Sequence, residues 1–145
     1  MNVGFIGLGK LGLPVALAMD LKGHSVMGHD INPAVMQKEH CAYLEQGPNG
    51  EPSLEPLLRD SELLFGSVRE VVNHSDFIFV AVQTPHIEKF EGITPIPDER
   101  VDFDYTHLLG AVTEISNEIG RAQKDVVVII VSTVLLGTVR SKVAP

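Results

Sequence analysis

Val3 to Ile6 is a short apolar run that stops at glycine, and Gly7, Gly9 and Gly12 then stand in a G-x-G-x-x-G spacing. No other stretch limits the possible folds of this chain so strongly. An amphipathic stretch follows at once. Asp30 stands eighteen residues after Gly12, at the end of a second apolar run. Each glycine has a mechanical reason. Gly7 permits the tight turn from strand to helix, Gly9 lets a pyrophosphate approach the backbone, and Gly12 lets the helix pack on the strand. Free N–H groups at the helix start, with the helix dipole behind them, favour phosphate charge. Asp30 is suited to accept hydrogen bonds from both hydroxyls of an adenosine ribose. Its charge opposes a 2′-phosphate, and no Lys or Arg follows it before Lys38. The spacing predicts a dinucleotide-binding βαβ unit that prefers NAD to NADP. The alternative is a similar βα turn that binds no nucleotide.

Hydrophobic periodicity extends the pattern along the chain. A strand is predicted over 2–7 and a helix over 10–22, with Leu11, Val15, Ala18, Met19 and Lys22 at helical spacing. Pro14 falls in the first turn of that helix and Gly23 ends it. A second strand covers 25–30. Asn32 is expected to cap a short helix over 33–39 that starts at Pro33. A loop follows over 40–52. Ser53 is expected to cap a helix through 59 that buries Leu54, Leu57 and Leu58. Residues 63–65 read as a strand and 68–73 as a helix. Residues 76–82 are nearly all apolar, as in a strand buried on both faces. A long loop, 83–103, leads to a helix over 104–121 with Leu108, Leu109, Val112, Ile115 and Ile119 on one face. A strand over 126–131, a loop over 132–137 and a helix capped by Thr138 complete the order. Strands alternating with helices imply an α/β fold, a doubly wound parallel sheet (Rossmann fold) with helices on both faces. Ligands of such sheets bind at the carboxyl ends of the strands, here at Gly7, Asp30, Gln83-Thr84-Pro85 and Ser132-Thr133.

Composition excludes several classes. The 145 residues suffice for one domain with a core, and the net charge is -8. No basic cluster exceeds two residues, so neither nucleic acid nor an anionic membrane is an expected partner. The single cysteine, Cys41, forbids an intramolecular disulfide framework and reads as a packed thiol rather than a nucleophile. The six histidines lack ligand spacing, so no metal is expected. No apolar run reaches a membrane span of about 18 residues, and no signal peptide is legible, so a cytoplasmic location is expected.

Five motifs in order resemble the UDP-glucose/GDP-mannose dehydrogenase family. They are Gly-Leu-Gly-Lys-Leu-Gly-Leu-Pro at 7–14, Glu-Pro-Ser-Leu at 51–54, Val-Gln-Thr-Pro at 82–85, Asp102 with Tyr105, and Ser-Thr-Val at 132–134 followed by Gly137-Thr138. The resemblance covers the whole chain but only the NAD-binding third of such an enzyme. It implies oxidation of the C6 alcohol of a nucleotide sugar to a carboxylate with two NAD per turnover. A cysteine attacks the aldehyde, and the resulting thioester is hydrolysed. Carried over residue by residue, Gly7, Leu8, Gly9, Lys10, Leu11 and Gly12 would cradle the pyrophosphate, and Asp30 would hold the adenosine ribose. Gln83, Thr84 and Pro85 would line the dinucleotide path. Ser132 and Thr133 would lie near the nicotinamide, with Thr133 also positioning a catalytic water. The family's cysteine, its Lys and Asp partners and a Glu have no counterpart here. They are expected beyond residue 145, with a central dimerisation helix and a C-terminal substrate domain. The full-length protein would bind a nucleotide sugar and form a homodimer.

The chain departs from the family pattern at several places. Val35 stands where Lys or Arg is usual, Gln83 replaces a proline, Val131 replaces a Lys, and Leu135-Leu136 replaces a proline-containing pair. The long loop with His86, Glu88 and Glu91 is also unusual. Two other readings share parts of the pattern. A β-hydroxyacid dehydrogenase of the 6-phosphogluconate type has a similar start but not the Thr84-Pro85 or Ser132-Thr133-Val134 elements. A cofactor-sensing domain could keep the fold without catalysis.

Overall fold

The computed structural model describes residues 1–37, 54–87, 90, 98 and 101–143. Five strands form one parallel sheet: β1 (Asn2–Ile6), β2 (Ser25–His29), β3 (Leu64–Phe65), β4 (Phe77–Val80) and β5 (Val127–Ile130). They are ordered β3-β2-β1-β4-β5. The central strand β1 pairs Ile6 with His29 on one side and with Val80 on the other. Chain order reverses across β1, which opens a crevice at the carboxyl ends of β1 and β4.

Among the described residues four helices cover the sheet: α1 (Gly12–Asp20), α2 (Glu55–Asp60), α3 (Val68–His74) and α4 (Thr106–Ala122). A π-helical turn, Val139–Val143, follows β5. Alternation along β1 divides the core. Val3 and Phe5 pack with Leu13, Ala16 and Leu17 of α1 and with Leu58 of α2. Phe5 also stacks on Phe79, ring centroids 5.2 Å apart. Ile6 and the β4 residues Ile78 and Val80 point the other way, against Val68, Val71 and Val72 of α3 and Leu108 and Ile115 of α4. The doubly wound α/β fold is thus present, with helices on both faces.

Several details differ from the sequence expectation. The apolar spacing assigned to the first helix is only partly right: Val15 and Met19 pack against the core. Leu13, Ala16 and Leu17 are buried, whereas Leu11 and Ala18 are exposed. The glycine turn delays the helix to Gly12, and that start sets which side faces the sheet. Residues 33–36 form turns, not an α-helix, because Asn32 Oδ1 accepts the Ala34 N–H at 3.0 Å and Asn32 O accepts the Val35 N–H at 3.0 Å. Leu58 is buried as expected, but Leu57 is exposed. The final helix expected after Thr138 is a π-helical turn. Cys41, the loop over 40–52, Ser53, Glu88 and Glu91 lie outside the described residues.

Two local devices hold α3 in place. Ser67 and Glu70 form a reciprocal capping box at its amino end, with the Ser67 N–H donating to Glu70 Oε2 at 2.7 Å and the Glu70 N–H to Ser67 Oγ at 3.3 Å. At its flank, Glu118 of α4 is buried yet charged, accepting from Arg69 Nε at 3.1 Å and from Arg121. Burial alone would raise the Glu118 pKa, but the hydrogen bonds from Arg69 and Arg121 prevail and lower it. A lowered folded-state pKa contributes stability above the ordinary glutamate range, and that contribution is lost as pH falls through the folded value. Glu118→Gln should therefore be less stable than wild type at neutral pH and should show a shallower loss of stability on acidification. Urea unfolding of both proteins at a series of pH values from neutral to strongly acidic measures the two slopes. Parallel slopes would remove Glu118 from the acid limb.

Candidate cofactor site

The turn after β1 is built from steric exclusions. Gly7 has φ +95°, and its N–H donates to His29 O at 2.9 Å, tying the end of β1 to β2. A Cβ at Gly7 would meet Ala81 O at 2.6 Å, and one at Gly12 would stand 1.9 Å from Gly7 O. The helix can start so close to the strand only without those atoms. Gly9 is different, since a Cβ there would meet nothing within 4 Å. No side chain caps the amino end of α1, and no acidic residue lies in its first turn. That end therefore presents free N–H groups and the positive end of the helix dipole.

Asp30 closes the turn from the other side. Its Oδ2 accepts the Leu8 N–H at 2.8 Å and its Oδ1 accepts the Asn32 N–H at 2.8 Å. The Asp30 N–H is directed at Met36 Sδ, 3.1 Å away. Each carboxylate oxygen keeps acceptor capacity beyond these bonds.

A cleft of about 500 Å³ runs across this end of the sheet. Gly7, Gly9, Asp30 and Gln83 line it, together with Ile31 and Asn32 after β2 and Ala81 and Val82 after β4. Its far wall is α4, through Thr106, His107, Gly110, Ala111 and Glu114. The sequence reading missed this wall, because the apolar stripe of α4 marks only its core face. The signal lay in the helical spacing of His107, Gly110, Ala111 and Glu114. Gly110 is open like Gly9, with no atom within 4 Å of an added Cβ.

Other predicted residues lie beside the cleft. Leu8 is fully buried, its side chain packed over Gly28, so only its backbone faces the turn. Lys10 and Leu11 are exposed at the helix entrance. Thr84, Pro85, Ser132 and Thr133 come together as a seam between the loops after β4 and β5. Thr84 Oγ1 donates to Thr133 O at 2.8 Å, and Ser132 Oγ donates to Val82 O at 2.7 Å. Pro85 O accepts the Asp104 N–H at 2.9 Å, which sets the approach to α4. Asp104 then receives the Thr106 hydroxyl at 2.6 Å and the Thr106 N–H at 2.9 Å, and these bonds hold its carboxyl below the usual range. Among the described residues no three of His, Cys, Asp and Glu gather into a group that could hold a metal ion.

Residues 1–145 match the UDP-glucose/GDP-mannose dehydrogenase family, NAD binding domain. The chain belongs to this family. It forms the NAD-binding domain that gives the match its description. A GDP-mannose 6-dehydrogenase of Pseudomonas aeruginosa is 32% identical over 156 residues, covering 100% of this chain and 31% of that protein. A crystal structure of a ternary complex of GDP-mannose dehydrogenase from Pseudomonas aeruginosa superposes with a TM-score of 0.77 at 27% identity, over 100% of this chain and 31% of that one. A UDP-glucose dehydrogenase from the hyperthermophilic archaeon Pyrobaculum islandicum gives 0.72 at 28% identity, over 95% and 30%. The chain therefore spans about a third of the length of these relatives.

The glycines of this family turn should separate on substitution. Gly12→Ala drives a methyl group into Gly7 O and should cost about 1–3 kcal/mol or more as an overpacked site. Gly9→Ala meets open space and should stay within about 0.5 kcal/mol of wild type. Denaturant midpoints of the two variants give the comparison. Equal destabilisation would mean that the turn does not depend on the Gly7–Gly12 approach.

Proposed function

We propose that the whole protein is a nucleotide-sugar 6-dehydrogenase that oxidises the C6 alcohol of its substrate to a carboxylate with two NAD, and that this chain seats the cofactor. The observation that carries the reading is the Asp30 carboxylate on the cleft wall, beside the open Gly9 and the uncapped start of α1. The residues fit the group: a diphosphate needs backbone without side chains before a helix dipole, and a ribose diol needs a paired acceptor. Bound NAD supplies the hydride acceptor.

The turn from Gly7 to Gly12, with Leu8, Gly9, Lys10 and Leu11 between them, lies against the pyrophosphate. Asp30 holds the adenosine ribose while keeping the turn closed. The Gly110-Ala111 surface of α4 receives the flat base. Gln83, Thr84 and Pro85 border the path to the nicotinamide, where Ser132 and Thr133 stand. Thr133 positions the water of the hydrolytic step. In the full-length protein a nucleotide sugar is the substrate, and two copies form a homodimer. We place the protein in the cytoplasm. No helix among the described residues is long and apolar enough to cross a membrane.

Calorimetric titration with NAD and NADP tests this seat. Wild type should bind NAD, with NADP at least roughly tenfold weaker because its 2′-phosphate meets Asp30. Asp30→Ala should lose roughly tenfold or more in NAD affinity, as hydrogen bonds to a charged group disappear. Asp30→Asn keeps an acceptor for the Leu8 N–H and should narrow the NAD/NADP gap. Folded wild type that binds neither dinucleotide would sink the reading.

Gly110 gives a separate test of the base wall. Gly110→Leu should raise helix stability by about 0.5–1 kcal/mol, since glycine is a poor helix former. The same change should block the cofactor. A stabilised variant with unaltered NAD affinity would place the base elsewhere.

A further inference from the structure

The loop over 132–138 that follows β5 is held at both ends by polar side chains. At its start, Ser132 Oγ reaches Val82 O and Thr84 Oγ1 reaches Thr133 O. At its end, the Leu135 N–H donates to Tyr105 Oη at 3.1 Å, and Thr138 Oγ1 lies 3.4 Å from the same oxygen. Apolar burial contributes little between these points. Leu135 and Leu136 are exposed, Val134 is only partly buried, and Gly137 turns with φ +89°.

Tyr105 is itself firmly placed. It is 4% exposed and its ring belongs to the core between α3, α4 and the sheet. Lys142 Nζ sits 4.7 Å from the ring centroid and bonds Asp102 Oδ2 at 2.7 Å. Tyr105 immediately precedes α4, whose first residues Thr106 and His107 line the cleft. One phenol thus joins the cleft wall to the loop that carries Thr133. A buried phenolic hydroxyl needs partners. Here its oxygen accepts the Leu135 N–H, and its own bond to the Asp102 carboxyl helps hold that group below the usual range.

We infer that Tyr105 is a positioning residue for the nicotinamide end of the site, acting on Thr133 through the Leu135 N–H. This rests on the proposed function, in which Thr133 stands beside the nicotinamide. The hydroxyl is the active element, and the ring serves the core. The adenosine end, built on Gly7, Gly9 and Asp30, has no bond to Tyr105 or to the 132–138 loop among the described residues.

Ligand halves separate this role from a structural one. The chain is titrated with NAD and with ADP, as wild type and as Tyr105→Phe, which keeps the ring and the Lys142 contact. NAD affinity should fall roughly fivefold, the size of one ordinary hydrogen bond, while ADP affinity stays unchanged. Leu135→Pro deletes the donor with Tyr105 intact and should reproduce the selective loss. Unchanged NAD affinity in Tyr105→Phe overturns the inference. An equal fall for NAD and ADP also overturns it, since that is general destabilisation. Wild type that binds neither ligand refutes the cofactor reading itself and this role with it.

Discussion

The approach of Gly12 to Gly7 is the constraint from which the carboxyl end of the sheet follows. With no Cβ on either residue, the helix starts directly above the strand it leaves. That start fixes the phase of α1, so Leu13, Ala16 and Leu17 face the sheet. It also drops Leu8 into the core over Gly28 and leaves the Leu8 N–H pointing at the end of β2. Asp30 takes that N–H. The residue that would hold a ribose is therefore also the staple of the phosphate turn. Its own loop is ordered by the same carboxylate through the Asn32 N–H. Turn closure and the proposed ribose contact thus share one side chain, already held by the bonds that make the fold.

Much of the fold is legible in the order of residues alone. The strands of a two-face-covered parallel sheet are continuous apolar runs, and 76–82 and 126–131 stand out as such. Alternation with helical stretches then leaves few topologies. Gly7, Gly9, Asp30 and Gln83 do meet on one cleft, because residues that end parallel strands share one edge of the sheet. The Ser67-x-x-Glu70 capping box also has a plain signature, a Ser three residues before Glu and ahead of the apolar Val71-Val72 pair.

The features that escape the sequence depend on contacts between segments. The first helix has two plausible apolar stripes, and only the glycine turn chooses between them. Leu57 and Leu58 are alike in sequence, and the direction of a six-residue helix decides which one is buried. Asn32 reads as a helix cap, but its side chain captures the Ala34 N–H in a turn, and Val35 is then fully buried. The α4 wall is the largest omission. Gly110 interrupts a helix at a cost of about 1 kcal/mol relative to alanine. Nothing among the described residues crowds it, unlike Gly12. Gly120 on the same helix is equally open but lies away from the cleft, so openness alone is no signal. Only the combination of openness and cleft position singles Gly110 out.

The cleft and the seam beside it are held in different ways. At β1 and β2 the backbone is set by van der Waals exclusion, by Leu8 sunk into the core, and by the Leu8 and Asn32 N–H bonds to Asp30. At β4 and β5 it is set by hydroxyls: Thr84 and Ser132 stitch the two loops together, and Tyr105 pins the far end. Hydrogen bonds of this kind contribute about 1 kcal/mol each and open singly, whereas a packed core yields only as a unit. The side proposed for the adenosine rests on the core through Leu8 and on the close Gly7–Gly12 approach. The seam proposed for the nicotinamide end is held by single side-chain hydrogen bonds. In the proposed reading, one end of the cofactor rests on the closed Gly7–Gly12 turn and the other lies beside a seam of hydroxyl bonds between two loops.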